Sequence, residues 1–121
     1  MDKTVIEPLR KFKDVLQQQG IRVNRMILYG SRATRRAKEH SDIDIVVISD
    51  DFKGMNILER LETFGIAMAK ARIMEPIEPS GYTEEEFASK NKGTFVGDEV
   101  KTKGIEIRWV NEDTETGKIV R

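Results

Sequence analysis

The sequence predicts one α/β or α+β domain in which a small mixed β-sheet is packed by helices on one side. Two observations carry this prediction. Segments with helical periodicity alternate with β-branched, strand-like segments along the chain, a pattern typical of mixed layers. The chain has 121 residues, which is enough for one hydrophobic core but not for two. We therefore treat residues 1–121 as a single domain.

Each element has its own local signal. Apolar residues at helical spacing predict helices over residues 4–19, 56–71, 83–91 and, more briefly, 94–102. Alternating or β-branched runs predict strands over residues 24–29, 42–49, 72–78 and 105–110. The second long helix has an apolar stripe formed by Ile57, Leu61, Phe64 and Met68. The polar tail, residues 111–121, is expected to be loose.

Composition excludes several classes of function. The chain has no cysteine and only one histidine, which excludes disulfides, thiol catalysis and cysteine-bound zinc. Its 21 basic and 21 acidic residues balance, which argues against a nucleic-acid ligand. The sequence contains neither an apolar signal core nor a membrane-spanning run, so we expect a cytoplasmic protein that does not enter a membrane.

Two short segments carry candidate chemistry. Gly30-Ser31 ends a predicted strand, and such a turn lets the backbone approach an anion closely, although it is also an ordinary way to end a strand. Asp42 and Asp44 lie two apart on the next strand and therefore share a face. Two adjacent carboxylates repel unless a cation joins them or one stays protonated, but a solvated strand end is an equal alternative.

The spacing of these segments is more specific than either alone. Leu28-Tyr29-Gly30-Ser31-Arg32-Ala33, followed by Ser41-Asp42-Ile43-Asp44-Ile45-Val46-Val47, resembles the signature of the nucleotidyltransferase superfamily related to DNA polymerase beta. It is closest to the minimal nucleotidyltransferases (MNT), which often accompany HEPN-domain proteins. The resemblance implies a nucleotidyltransferase fold. It also implies that Gly30 and Ser31 hold the triphosphate of ATP or another nucleoside triphosphate, and that Asp42 and Asp44 bind two Mg²⁺ ions.

The resemblance also implies a third carboxylate on a neighbouring strand, and the candidates are Glu75 and Glu78. Family members place this acid before a segment like Tyr82-Thr83-Glu84-Glu85-Glu86-Phe87, which favours Glu78. The parity of the predicted strand 72–78 agrees, because it places Glu75 on an apolar face. Glu78 is therefore expected to be both catalytic and a metal ligand, together with Asp42 and Asp44.

Other polar and aromatic residues are secondary candidates. Arg32 is expected to clamp triphosphate oxygens, with Arg35 and Arg36 as weaker candidates. His40 could tune a neighbouring carboxylate or could be a plain loop residue. Tyr82 and Trp109 could stack on a base, although packing is the expected role for Trp109. Relatives often carry glycine where this chain has Arg35, so its loop could have a different shape.

The sequence is compatible with two main functions. The first is an enzyme that transfers an NMP unit to a hydroxyl of a protein or small molecule, in one version an MNT antitoxin that adenylylates a HEPN toxin. The second is a catalytically silent binding module that masks a partner. No acceptor-binding domain is visible in these residues, so we expect the acceptor to come from a partner, a second copy in a homo-oligomer, or solution.

Overall fold

A computed structural model describes residues 3–34, 41–109 and 117–120 of the chain. Its helices are α1 (Lys3–Gln18), α2 (Ile57–Lys70), α3 (Glu84–Ala88) and a π-helix (Val96–Lys101). Its strands are β1 (Arg25–Tyr29), β2 (Ile43–Ile48), β3 (Ile77–Tyr82), β4 (Ile105–Trp109) and β5 (Gly117–Val120). Single 3₁₀ turns occupy Gly30–Arg32 and Asp50–Phe52. Among the described residues, no helix is long and apolar enough to cross a bilayer.

The strands form one mixed sheet in the order β3-β2-β1-β4-β5. β1 is antiparallel to β2 and β4, whereas β2 and β3 run parallel through a crossover that contains α2. This arrangement confirms the predicted small mixed sheet with helices. β5 pairs with β4, so the expectation of a loose tail is wrong for residues 117–120. The other tail residues lie outside the described part of the chain.

The two faces of the sheet are covered differently. The main core lies on one face, where α1 and α2 bury side chains such as Phe12 and Phe64 against alternate residues of β1 and β2. The opposite face holds a smaller cluster: Ile27, Val46, Ile48, Phe87, Val96 and Val100. The long helices thus occupy one side of the sheet, whereas the short α3 and the π-helix cover part of the other side, which the sequence did not predict.

Two local predictions are wrong. The third strand begins at Ile77 rather than at residue 72, because the chain leaves α2 through Arg72, whose φ is 54°, and joins β2 only where Ile43 pairs with Ile77. The predicted stripe of α2 is only partly buried. Phe64 is buried, but Ile57 and Leu61 are 77% and 49% exposed, because Arg60 occupies the buried position between them.

Candidate active site

Three carboxylates meet at one end of the sheet. Asp44 lies in β2, Asp42 immediately precedes that strand, and Glu78 lies in β3 directly opposite Asp44 in the parallel register. Residues two apart on a strand share a face, so Asp42 and Asp44 have the parity of Val46 and Ile48. The carboxylates therefore lie on the face opposite α1 and α2.

The carboxylates are close enough to perturb one another. Burial raises the pKa of Asp44, the charge of Asp42 raises it further, and a hydrogen bond with Glu78 opposes this rise. The charge of Asp42 is the main cause that raises the pKa of Glu78, followed by desolvation and by the charge of Asp44. Hydrogen bonds between Glu78 and both aspartates also raise it. Without a cation, the cluster thus disfavours the ionised form of Glu78 relative to that of an isolated glutamate.

The turn after β1 lies against this cluster. Tyr29 pairs with Asp44 across the β1–β2 ladder, and Gly30 follows with a φ of 75°. A Cβ atom built on Gly30 would lie 2.5 Å from Oδ2 of Asp44. The glycine therefore provides both a left-handed backbone and the space that the carboxylate occupies. Ser31, the next residue of the turn, is partly buried.

Arg32 is held by the chain segment that leads into Asp42. Its Nε and Nη2 atoms donate to the carbonyl oxygen of Ser41, at 3.3 and 3.0 Å. This fork joins the two ends of the loop between β1 and β2, and it fixes the approach to Asp42. The predicted contact of Arg32 with triphosphate stays a prediction, alongside this observed positioning contact.

The other sequence candidates fall elsewhere. Glu75 is exposed in the connection before β3, outside the register that aligns Glu78 with Asp44. Trp109 packs on the α1 side of the sheet, where Arg10 and Lys13 lie over its ring at 5.4 and 5.3 Å. Trp109 is therefore not at the carboxylate site. Arg35, Arg36 and His40 lie outside the described residues.

Tyr82 has the parity of Glu78 but lies at the far end of β3, where Lys90 sits 5.9 Å above its ring. It packs against the smaller apolar cluster.

Tyr29 also lies at the site, although it is not among the residues expected there from the sequence. Burial raises the pKa of its phenol, the charge of Asp44 raises it further, and a hydrogen bond with Ser80 opposes the shift. The charge of Glu78 also contributes. A signal was available, because Tyr29 immediately precedes Gly30 and has the parity of the residues that face Asp44.

The donor set fits a hard divalent cation. Carboxylate oxygens are the ligands that Mg²⁺ prefers, and it usually takes one or two of them together with substrate phosphates. Within the residues that the structure describes, no three acidic or histidine side chains already enclose a common point where a cation would sit. A bound cation would offset the repulsion from Asp42 and Asp44 that raises the pKa of Glu78.

Replacement of Gly30 by alanine is expected to damage both the fold and the site. The left-handed φ costs a Cβ-bearing residue about 1–2 kcal/mol, and the new methyl group would displace the Asp44 carboxylate. Gly54→Ala is a matched control, because Gly54 has a φ of 85° but has nothing within 4 Å of its Cβ position. In urea unfolding, backbone strain should lower the free energy of unfolding by similar amounts in Gly30→Ala and Gly54→Ala. Only Gly30→Ala should weaken Mn²⁺-dependent nucleotide binding in calorimetry; equal binding by both variants would contradict the proposed contact.

Comparisons with known proteins agree with this architecture. The sequence matches the family described as nucleotidyltransferase domain over residues 9–113, and the chain therefore belongs to that family. Family membership supports nucleotidyl transfer as its general activity.

The fold is also similar to a crystal structure from Sulfolobus solfataricus of a protein provisionally named a nucleotidyltransferase. The two chains are 19% identical with a TM-score of 0.53, over 93% of this chain and 92% of the other. At this identity the likeness concerns the fold alone. A comparison with curated proteins gives no significant match.

Proposed function

We propose that this protein binds a nucleoside triphosphate with Mg²⁺ and transfers its NMP unit to a hydroxyl group. One observation carries the proposal: the parallel register sets Glu78 opposite Asp44 and beside Asp42, on the same end of the sheet as the Gly30 turn. Burial is the main cause that raises the pKa of Asp44, and the charge of Asp42 is the main cause that raises the pKa of Glu78, so the fold holds like charges close together in a partly desolvated place. Such an arrangement is typical of functional sites.

The chain's own residues divide the work. Asp42, Asp44 and Glu78 would hold two Mg²⁺ ions, which when bound neutralise triphosphate charge and stabilise both the attacking and the leaving oxygens. Gly30 and Ser31 bring the backbone close to the triphosphate. Glu78 is suited to take the proton of the acceptor hydroxyl. Arg32 fixes Ser41 and with it the position of Asp42, and a guanidinium at this place is of the kind that binds phosphate oxygens.

The acceptor is proposed by resemblance to the MNT group. In that version the chain is the antitoxin of a HEPN/MNT pair, and it adenylylates a hydroxyl of its HEPN toxin. Incubation of the purified protein and Mg²⁺ with ATP labelled at the α-phosphate, in a lysate of the source cells, tests for transfer. We expect label on a discrete acceptor. The assay is repeated with each of the four ribonucleoside triphosphates under conditions where the protein binds nucleotide. If no acceptor is labelled with any of them, the catalytic proposal is wrong.

A binding module without turnover is the second candidate, and one surface favours it. Ile57, Leu58 and Leu61 are 77%, 64% and 49% exposed at the start of α2, and exposed apolar patches of this kind often mark protein contacts. Masking of a partner would survive Asp44→Asn but would be lost when Leu58 and Leu61 are replaced by serine. Catalytic neutralisation of a partner predicts the first of these variants to be inactive.

A further inference from the structure

Phe95 is an exposed aromatic residue on the same face of the sheet as the carboxylates. Its side chain is 62% exposed, and it is the residue immediately before the π-helix. π-Helical turns are rare and occur frequently at functional sites. Exposure of one apolar side chain is common in proteins, so the position of Phe95 beside the carboxylates is the informative observation.

The backbone around Phe95 is held firmly. Oγ1 of Thr94 donates to the carbonyl of Asn91 at 2.7 Å and accepts from the N–H of Gly97 at 2.9 Å. The N–H of Gly93 donates to Asp98, and the N–H of Asp98 to the carbonyl of Thr94. Phe95 is therefore presented on a fixed turn rather than on a loose loop.

The exposed ring lies next to the candidate active site. Phe95 packs edge-on against Tyr29, with 5.8 Å between ring centroids and 77° between planes. Tyr29 in turn pairs with Asp44 in the sheet and immediately precedes Gly30. Phe95 thus makes an edge-to-face contact with Tyr29, and Tyr29 in turn lies next to both the carboxylates and the Gly30 turn. Since Tyr29 supports one side of the Phe95 ring, a flat ligand can use the exposed area that remains.

We propose that Phe95 is the platform on which the base of the bound nucleoside triphosphate stacks. This inference rests on the proposed nucleotide site and adds a residue that contacts the base. The glycine turn and the carboxylates have no aromatic ring on which a base could stack. Stacking tolerates any base but favours the larger ring system, so purine nucleotides should bind more tightly than pyrimidine nucleotides.

Isothermal titration calorimetry with MnATP and with Mn-tripolyphosphate separates the base from the triphosphate. Loss of aromatic stacking on a base corresponds to about a 5- to 150-fold weaker affinity. We expect this loss for MnATP in both Phe95→Ala and Phe95→Leu, while tripolyphosphate affinity is unchanged. Phe95→Trp should retain ATP affinity, and its fluorescence, read in a Trp109→Phe background, should change when ATP binds.

Ile66→Ala is the matched control, because Ile66 is 52% exposed on α2, a helix of the opposite face. It should bind both ligands as the unmodified protein does. Wild-type affinity for MnATP in Phe95→Ala would overturn the stacking role and leave the triphosphate site intact. An equal loss for ATP and tripolyphosphate would also overturn it, because Phe95 would then act through the fold. If the unmodified protein binds neither ligand, the proposed function itself fails.

Discussion

Replacement of Asp44 by asparagine is expected to weaken Mn²⁺-dependent nucleotide binding by more than about 100-fold, because even groups that only support a metal ligand contribute 10–100-fold. Asparagine keeps the size of the side chain, so the β1–β2 ladder and the space left by Gly30 are preserved. Calorimetry with MnATP measures the affinity. Glu62→Gln removes one negative charge from an exposed position on α2 and should leave the affinity unchanged.

The same substitution should make the metal-free protein more stable. Asp44 has a raised pKa because burial and the charge of Asp42 both disfavour its ionised form, so asparagine removes a repulsion that the fold otherwise sustains. Relief of a largely solvated repulsion is worth a few tenths of a kcal/mol to about 1 kcal/mol, or roughly 1–4 °C in Tm. Thermal unfolding in EDTA measures this shift. If Asp44→Asn has a lower Tm than the unmodified protein in EDTA, Asp44 stabilises the metal-free fold and the proposed repulsion is wrong.

Local patterns predict the carboxylate pair well. The i, i+2 spacing and the β-branched run that follows identify β2, and the structure buries Ile45 to Ile48 as the pattern requires. The Gly30 turn is equally local. The sequence alone does not show that the missing Cβ of Gly30 leaves space for Oδ2 of Asp44, which only the structure reveals.

The alignment of Glu78 with Asp44 could not be derived from local patterns. Parity over residues 72–78 assumes a strand that the structure starts at Ile77. Register depends on how far the crossover through α2 carries the chain, which is a property of packing between distant segments. The family resemblance favours Glu78, which the structure aligns with Asp44. The parity of residues 72–78 favours the same residue, but it assumes a strand with the wrong bounds.

The exposed apolar residues of α2 have a similar origin. Periodicity indicates that Ile57, Leu61 and Phe64 share a stripe, but it does not say how deep each one lies. Arg60 enters the protein between them and is only 8% exposed. A buried arginine requires partners for a charge and for several N–H groups, and these partners come from three separate segments of the chain.

Replacement of Arg60 by alanine is expected to destabilise the fold by about 3–5 kcal/mol, because Arg60 is buried and its removal breaks an ion pair and several hydrogen bonds together. Nε and Nη2 donate to the carbonyls of Met55 and Phe52, and Nη1 donates to the carbonyl of Gly81. Nη1 and Nη2 also bind the two carboxylate oxygens of Glu86. Alanine would remove the donor of all these acceptors and would disconnect α2 from β3 and α3.

Chemical unfolding in urea measures this loss, and Arg22→Ala is the matched control. Arg22 also pairs with an aspartate, but its side chain is 84% exposed, so its removal should change the free energy of unfolding by less than about 1 kcal/mol. Arg60→Lys should recover only part of the loss, since an ammonium group cannot reproduce the fork. Similar losses in Arg60→Ala and Arg22→Ala would show that the buried network contributes little.

Glu86 provides the pH dependence of the same network. The hydrogen bonds from Arg60 are the main cause that lowers its pKa to about 2 in the folded protein, from an ordinary value of 4.5. A lowered folded-state pKa means that the stabilisation is complete above pH 4.5 and is lost as pH falls from there through about 2. Because the Glu86 side chain is 42% exposed, solvent screening reduces its contribution to about 1–2 kcal/mol. Glu86→Gln should therefore lower stability at pH 7 by that amount and flatten the acid side of the stability curve, whereas an unchanged slope between pH 4.5 and 2 would assign the acid sensitivity to other carboxylates.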